Sequence, residues 1–386
     1  MKWQSYKLKE VGEVVTGNTP PTTQREYYGT QYKFIKPTDM REGQRYVPIT
    51  EEYYSELAYQ KYCKSLLPVN TPCVVTIGSL GKKMCLTDEP SFTNQAVNAV
   101  IPNENFDGEF LYYCLRTRLP YVKQLDSGTT SGRENVSKSS FSNIVIEAPS
   151  LAIQKRIASI LSAYDNLIEN NNKRIKILEQ MAENLYKEWF VRFRFPGHES
   201  TPFENGIPKD WMIKRVDELA KIKAGGDRPD ICEDEITDNC KVPVYSNGIE
   251  NEGLYGFTDV AEINKASVTI SARGTIGYVC LRRIPFVPIV RLLSVTPNTS
   301  EISVYYLYYL LKNDAIIGNG TSQQQITVPM LGRKKILVPE NSLVKSFTAK
   351  VESIWNEIDL LKNSTANLIK QRDLLLPRLM SGKLAV

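Results

Sequence analysis

Residues 153–190 read IQKRIASILSAYDNLIENNNKRIKILEQMAENLYKEWF. The stretch holds neither glycine nor proline, and its apolar residues fall on a heptad. Leu161, Ile168, Ile175, Ala182 and Trp189 form one row; Ile157, Tyr164, Leu178 and Leu185 form the other, interrupted by Asn171. Sustained over about four heptads, this period argues for a coiled coil rather than an ordinary surface helix. At 1.5 Å per residue the helix would reach roughly 55 Å, longer than a typical domain is wide. A rod of that length in mid-chain is expected to hold two things apart.

The sequence on one side of the rod repeats on the other. An offset of 208 carries Trp3 to Trp211, Gly17 to Gly225 and Pro21 to Pro229. At an offset of 196, Gly78-Ser79-Leu80-Gly81 matches Gly274-Thr275-Ile276-Gly277, and Leu111-Tyr112-Tyr113 matches Leu307-Tyr308-Tyr309. Val100-Ile101-Pro102-Asn103 echoes Val295-Thr296-Pro297-Asn298. Pro149 aligns with Pro339 at an offset of 190, and a second heptad helix follows over 343–379. Phe347, Ile354, Leu361, Leu368 and Leu375 form its first row; Val351, Ile358, Thr365, Arg372 and Leu379 form its second. One unit, a globular domain followed by a long helix, is therefore present twice.

An apolar stripe on a lone helix cannot stay exposed, and pairing the two helices within one chain buries both. An antiparallel pair would place the domains at opposite ends, related by a pseudo-two-fold. The expected seam runs through Leu161, Ile168, Asn171, Ile175, Leu178 and Leu185 of the first helix. In the second it runs through Ile354, Ile358, Leu361, Thr365, Leu368 and Leu375. Asn171 and Thr365 would then be polar positions that fix register at some cost in stability. A parallel pairing between chains would leave the duplication unexplained. The fold class expected is α+β: two β-rich globular domains separated by an antiparallel coiled coil. The segments are a first domain 1–149, a helix 150–192, a linker 193–210, a second domain 211–340, a helix 341–380 and a tail 381–386.

At 386 residues the chain exceeds one typical core. Its 42% hydrophobic and 24% charged residues are those of an ordinary globular protein. The net charge of +5 is mild, with basic clusters at 33–45, Lys82-Lys83 and Arg333-Lys334-Lys335. Seven cysteines without a CxxC pair read as buried reduced thiols in a cytoplasmic protein rather than a zinc site. His198 is the only histidine, which argues against a histidine-based metal site or a Ser-His-Asp triad. Neither an apolar leader nor an 18-residue apolar run is present, so no membrane association is expected.

Within the first domain, short alternating runs predict strands at 32–35, 73–77, 96–101 and 144–146. A helix is expected over 109–118, broken at Pro120. Arg192 and Arg194 alternate with Val191, Phe193 and Phe195, as a strand or docking segment would. The tyrosine pairs 27–28, 53–54, 112–113 and 308–309 are expected to pack at domain edges. Catalytic signatures are missing. There is no GxxxxGK[ST] phosphate loop, GxSxG elbow, HExxH or amino-methyltransferase Asn/Asp-Pro-Pro-Phe/Tyr motif. The chain is expected to perform no covalent chemistry.

Several motifs resemble one family, the DNA-specificity subunit of type I restriction–modification systems. Val15-Thr16-Gly17-Asn18-Thr19-Pro20-Pro21, Phe34-Ile35-Lys36-Pro37-Thr38-Asp39-Met40 and Thr93-Asn94-Gln95 are similar to its target-recognition domain. Leu185-Tyr186-Lys187-Glu188-Trp189-Phe190-Val191 resembles the end of its central helix. The segment 374–384, LLLPRLMSGKL, is similar to its most specific signature. The likeness covers essentially the whole chain. It implies one recognition domain per half of a bipartite, asymmetric site on double-stranded DNA, with the helices as a spacer. It implies two methyltransferase subunits docked on this one, and two motor/nuclease subunits for restriction. No cofactor is expected on this chain; S-adenosylmethionine, ATP and Mg belong to the partners. The second half departs from the first: 285–291, PFVPIVR, stands where the first has Phe92-Thr93-Asn94-Gln95, and 242–248 has no evident counterpart near Lys36.

Reading bases requires side chains that present paired donors and acceptors, whereas phosphate contacts only position the protein. The candidates in the first domain are Lys36, Thr38, Lys82, Lys83 and the loop residues Thr129, Thr130, Ser131, Arg133 and Asn135. Those in the second are Ser246, Asn247, Arg273, Thr321, Ser322, Gln323, Gln324 and Gln325. Two rival readings remain open at this point: a coiled-coil scaffold without DNA specificity, and an enzyme whose active site carries no recognised motif.

Overall fold

The computed structural model describes residues 3–126, 134–314 and 325–386. Its strands are β1 (Gln4–Lys7), β2 (Gly12–Thr16), β3 (Tyr28–Ile35), β4 (Glu52–Tyr54), β5 (Pro72–Val75), β6 (Met84–Leu86), β7 (Ser91–Thr93), β8 (Val97–Pro102) and β9 (Val145–Ala148) in the first half. The second half has β10 (Phe203–Glu204), β11 (Ile207–Pro208), β12 (Met212–Arg215), β13 (Ala220–Ala224), β14 (Val242–Tyr245), β15 (Leu254–Thr258), β16 (Ser267–Ile270), β17 (Val279–Arg282), β18 (Val287–Pro288), β19 (Leu293–Pro297) and β20 (Lys335–Val338). The helices are α1 (Leu8–Val11), α2 (Glu56–Tyr62), α3 (Gly108–Gln124), α4 (Lys138–Ser142), α5 (Leu151–Tyr186), α6 (Val216–Leu219), α7 (Val304–Asn313), α8 (Val328–Gly332) and α9 (Asn341–Met380).

The chain forms two compact units, Met1–Asn172 with Lys362–Val386, and Lys173–Leu361. Both long helices therefore contribute to both units. In the first unit, Ile157, Ala158 and Leu161 of α5 share a core with Leu376, Leu379 and Met380 of α9, and Asp165 meets Arg372. In the second, Arg174 pairs with Glu357 at 2.7 Å and the Phe190 ring lies 4.9 Å from that of Phe347. As numbers rise on one helix they fall on the other, so the pairing is antiparallel within each unit. Leu161, Ile168, Ile358 and Leu361 are buried; Ile175, Leu178, Leu185, Ile354, Leu368 and Leu375 are half-buried. Asn171 and Thr365 are also buried, and the Thr365 hydroxyl has no hydrogen-bond partner.

The two units share one topology. A four-stranded sheet of order β2-β8-β5-β6 in the first corresponds to β13-β19-β16-β17 in the second. A three-stranded sheet β4-β3-β7 corresponds to β15-β14-β18, with its third strand parallel to the middle one in both. A two-stranded pair, β1-β9 or β12-β20, closes each domain beside its long helix. The fold class is thus α+β, with one unit built twice.

This topology overturns one expectation: 242–248 does have a counterpart near Lys36. Tyr245 pairs with Pro288 as Ile35 pairs with Thr93, so Ser246 occupies the place of Lys36. The correspondence is hidden in sequence because parallel strands pair through backbone groups across a long crossover. A second correction concerns α3, which runs on through Pro120 to Gln124. Pro120 is exposed, while Val122 is buried and anchors the last turn. A third concerns the segment after α5. It forms a π-helical turn, Lys187–Val191, and Arg192 caps it with an ion pair to Glu188, so no strand is formed there. Finally, Tyr54, Tyr112, Tyr113, Tyr308 and Tyr309 lie in the cores rather than at domain edges.

Candidate nucleic-acid interface

In the first unit three loops distant in sequence are drawn together at one end of the sheets. The loop after β3 starts at Lys36, whose N–H donates to Asp39 Oδ2 (2.8 Å); the other Asp39 oxygen accepts from the N–H of Glu51 (2.9 Å). The Lys83 ammonium reaches across from the β5–β6 loop to the carbonyl of Pro37 (2.9 Å). The N–H of Gly78 donates to Glu134 O (3.0 Å) and that of Val136 to Thr76 O (2.8 Å). Candidate segments near 36, 82 and 135 therefore converge.

The second unit repeats the arrangement. The N–H of Ile326 donates to Ala272 O (3.1 Å), the equivalent of Val136 to Thr76. Arg273 Nε and Nη2 both donate to Gln325 Oε1, at 3.1 and 2.9 Å. Asn247 Nδ2 donates to Val290 O (2.6 Å), and its Oδ1 accepts from Ala272 N (2.9 Å). Ser246, Asn247, Arg273 and Gln325 thus sit in one cluster. The turn between the paired strands is built alike in both units: Gly78 and Gly81, and Gly274 and Gly277, all take left-handed φ between 69° and 89°.

Several candidates are tied inside the protein. Lys36 Nζ lies 2.9 Å from Glu51 and 3.1 Å from Glu52, and the Thr38 hydroxyl donates to Glu51 at 3.4 Å. Burial works against the Lys36 ammonium, but the two carboxylates outweigh it and raise its pKa above the ordinary lysine value. Lys82 is exposed. Thr129, Thr130, Ser131 and Arg133, and Thr321, Ser322, Gln323 and Gln324, lie outside the described residues. Of the basic cluster at 33–45, Arg41 is exposed, whereas Lys33 and Arg45 turn inward. Lys33 is buried against Asp88 (2.9 Å) and Glu89 (3.2 Å), and Arg45 is buried against α5 and α3.

One feature of this end escaped the sequence reading. Val290 and Arg291, on the loop after β18, both take left-handed backbone conformations, with φ of 52° and 61°. A β-branched residue there is a genuine outlier, and each such residue costs about 1–3 kcal/mol. Asn247 holds the Val290 carbonyl, while the N–H groups of Val290 and Arg291 donate to Gly226 O (2.8 Å) and Gly225 O (3.0 Å). Nothing in the residue types signals this, because valine disfavours the conformation it adopts.

Gly225 permits the approach: a Cβ on it would lie 2.6 Å from the Pro288 carbonyl carbon. Gly17 has the same role in the first unit, where a Cβ would collide with the carbonyls of Thr93 and Asn94. Either glycine replaced by alanine should destabilise its own unit by about 1–3 kcal/mol through overpacking. Denaturant unfolding of the full chain measures this; an unchanged midpoint in both variants would contradict it.

Among the described residues no group of three or more His, Cys, Asp or Glu side chains is arranged to hold a metal ion, and no helix is long and apolar enough to cross a membrane. A family model described as type I restriction modification DNA specificity domain matches residues 1–180 and again 208–369. The MjaIX specificity subunit of Methanocaldococcus jannaschii is 27% identical over 410 aligned residues, covering 100% of this chain and 94% of that one. The HindI specificity subunit of Haemophilus influenzae is 34% identical over 175 residues, 44% of this chain and 38% of its own. A crystal structure of the S subunit of a type I restriction–modification system from M. genitalium superposes with a TM-score of 0.64 at 19% identity, covering 98% and 96% of the two chains, which establishes a shared fold. With both of its halves matched, the chain belongs to the family of type I restriction modification DNA specificity domains.

Proposed function

We propose that this chain is the sequence-specific DNA-binding subunit of a type I restriction–modification complex, and that each unit reads one half of a bipartite, asymmetric site. The observation that carries this reading is one loop frame presented twice with different side chains. Lys36 in the first frame stands where Ser246 stands in the second; Asn135 stands where Gln325 stands; Ser79-Leu80 stands where Thr275-Ile276 stands. A shared frame gives both domains the same approach to a groove, and exchanged donors and acceptors let them read different bases.

The paired long helices act as the spacer between half-sites and as the dock for two methyltransferase subunits; two motor/nuclease subunits join for restriction. Exposed apolar side chains on the helices support docking: Leu167 and Leu374 in the first unit, and Ile177, Met181 and Leu360 in the second. The chain itself is non-catalytic and works in the cytoplasm, with S-adenosylmethionine, ATP and Mg bound by its partners.

Sequencing the bases methylated by this subunit with its methyltransferase tests the proposal. A two-part motif with a fixed gap is expected; a continuous or palindromic motif would refute it. Exchanging residues 1–149 for those of a relative should change one half of the motif and leave the other intact. Binding to duplex DNA should weaken steeply with added salt, as phosphate contacts require; a coiled-coil scaffold without DNA specificity would show neither behaviour.

A further inference from the structure

Each unit contains an arginine that reaches from its recognition domain onto its long helix, and the two contact sets are equivalent position by position. Arg45 is 3% exposed. Its guanidinium donates to Glu169 Oε1 at 3.1 Å and to Asn166 of α5, lies 3.6 Å from Glu109 of α3, and stacks over the Tyr46 ring at 4.4 Å. Arg283 donates to Asp359 and Asn356 of α9 and lies 5.9 Å from the ring centre of Tyr305 of α7. The offset of 190 carries Asn166 to Asn356 and Glu169 to Asp359; the offset of 196 carries Glu109 to Tyr305.

The arginines themselves are not equivalent. Arg45 belongs to the loop between β3 and β4, and its carbonyl accepts the N–H of Leu86 on β6. Arg283 directly follows β17, the counterpart of β6. The helix side of the contact is thus the same in both copies, whereas the arginine arrives from a different place in the chain. Simple persistence of a duplicated contact would retain both sides. A planar guanidinium that binds an amide and a carboxylate three residues apart on one helix face fixes an angle as well as a distance, which lysine cannot do.

We infer that Arg45 and Arg283 are positioning residues that lock each recognition domain onto the helices of its own unit, so that the gap between half-sites is read to the base pair. The inference rests on the bipartite reading above. Base identity is then the work of the loop frames, and gap length is the work of the helices together with these two clamps.

The test uses the full chain in complex with its methyltransferase, on a DNA library in which both half-sites and the gap are randomised. Arg45→Ala and Arg283→Ala are each expected to keep the bases of both half-sites unchanged. Each should raise methylation at gaps one base pair longer or shorter, relative to the preferred gap, by about tenfold, the scale on which charge-assisted hydrogen bonds hold one orientation. Arg45→Lys, which keeps the charge and loses the fork, should behave like Arg45→Ala. Should Arg45→Ala fail to fold, Glu169→Gln keeps the shape of the contact and removes one charge, and a broadened gap is expected there too. Altered base identity with an unchanged gap would overturn the inference, as would a gap as narrow in the variants as in the wild type. A wild-type complex that methylates no two-part motif would instead overturn the bipartite reading on which it rests.

Discussion

Replacing Arg372 by methionine should destabilise the first unit by about 3–5 kcal/mol, the cost of leaving a buried carboxylate without its partner. Asp165 and Arg372 are each 4% exposed, and Arg372 Nη1 donates to Asp165 Oδ1 at 2.5 Å. Tyr113 on α3 donates to the other oxygen of Asp165 at 2.6 Å, and Arg372 Nε donates to Asp373 at 2.9 Å. The group is well satisfied, so it tolerates burial, but removal of Arg372 leaves the Asp165 carboxylate buried without a cation, whereas Arg372 has Asp373 as a second partner. The second unit solves the same packing problem without ions. At the position of Asp165 it has Trp355, whose indole N–H donates to Tyr309, the counterpart of Tyr113, at 3.1 Å. At the position of Arg372 it has Ala182, fully buried. Relative to the repeat, the large and small side chains have exchanged positions, the large one lying on α9 in both units, and the tyrosine has changed from donor to acceptor. The double variant Asp165→Trp with Arg372→Ala should therefore recover most of the stability lost by Arg372→Met. Hydrogen exchange along α5 and α9 and the denaturant midpoint measure both variants; a single variant that costs under about 1 kcal/mol would show that the pair is not an uncompensated burial problem.

That pair also marks the limit of what was legible in the sequence. The long helices were readable because 38 residues without Gly or Pro leave few alternatives, and a strict heptad dictates which stripe must be covered. The repeat was readable because glycines with left-handed φ, such as Gly78 and Gly274, resist substitution in each copy separately. Arg372 fell in a seam row, yet nothing local named Asp165 as its partner, since a buried charge is identified by what tertiary structure brings to it. The strands β7 and β18 are three and two residues long and pair in parallel with distant strands, too short for an alternating pattern. Pro120 breaks a helix by local rules, yet the helix continues to Gln124 with Val122 buried, a tertiary contact that local rules do not see. The described parts of the candidate loops do gather in each unit, tied by backbone bonds from Val136 to Thr76 and from Ile326 to Ala272. Which side chains are held inside was not legible: Lys36 and Lys33 look alike in sequence, and both turn inward to carboxylates.

Asn247→Ala should lower methylation at the preferred site by about 10- to 100-fold, the loss expected when one or two base contacts worth about 1–3 kcal/mol each are displaced. The side chain brackets three segments of the second frame. Its Nδ2 holds Val290 O and its Oδ1 holds Ala272 N, next to Arg273 and its partner Gln325. Without it, Val290 and Arg291 lose a contact that opposes their backbone strain, and relaxation toward negative φ would swing the exposed Arg291 side chain out of place. The effect should be confined to one half of the motif. Discrimination against wrong bases should fall in the half assigned to the second domain by exchanging residues 211–340, and stay unchanged in the other half. Asn247→Asp retains the acceptor for Ala272 and loses the donor to Val290, so it should fall between the wild type and Asn247→Ala. Val290→Gly supplies the left-handed conformation without strain and, made together with Asn247→Ala, should restore part of the lost discrimination. An Asn247→Ala protein that relaxes both halves equally would mean that the two frames are not read independently. One that relaxes neither would mean that this end of the second unit does not meet bases at all.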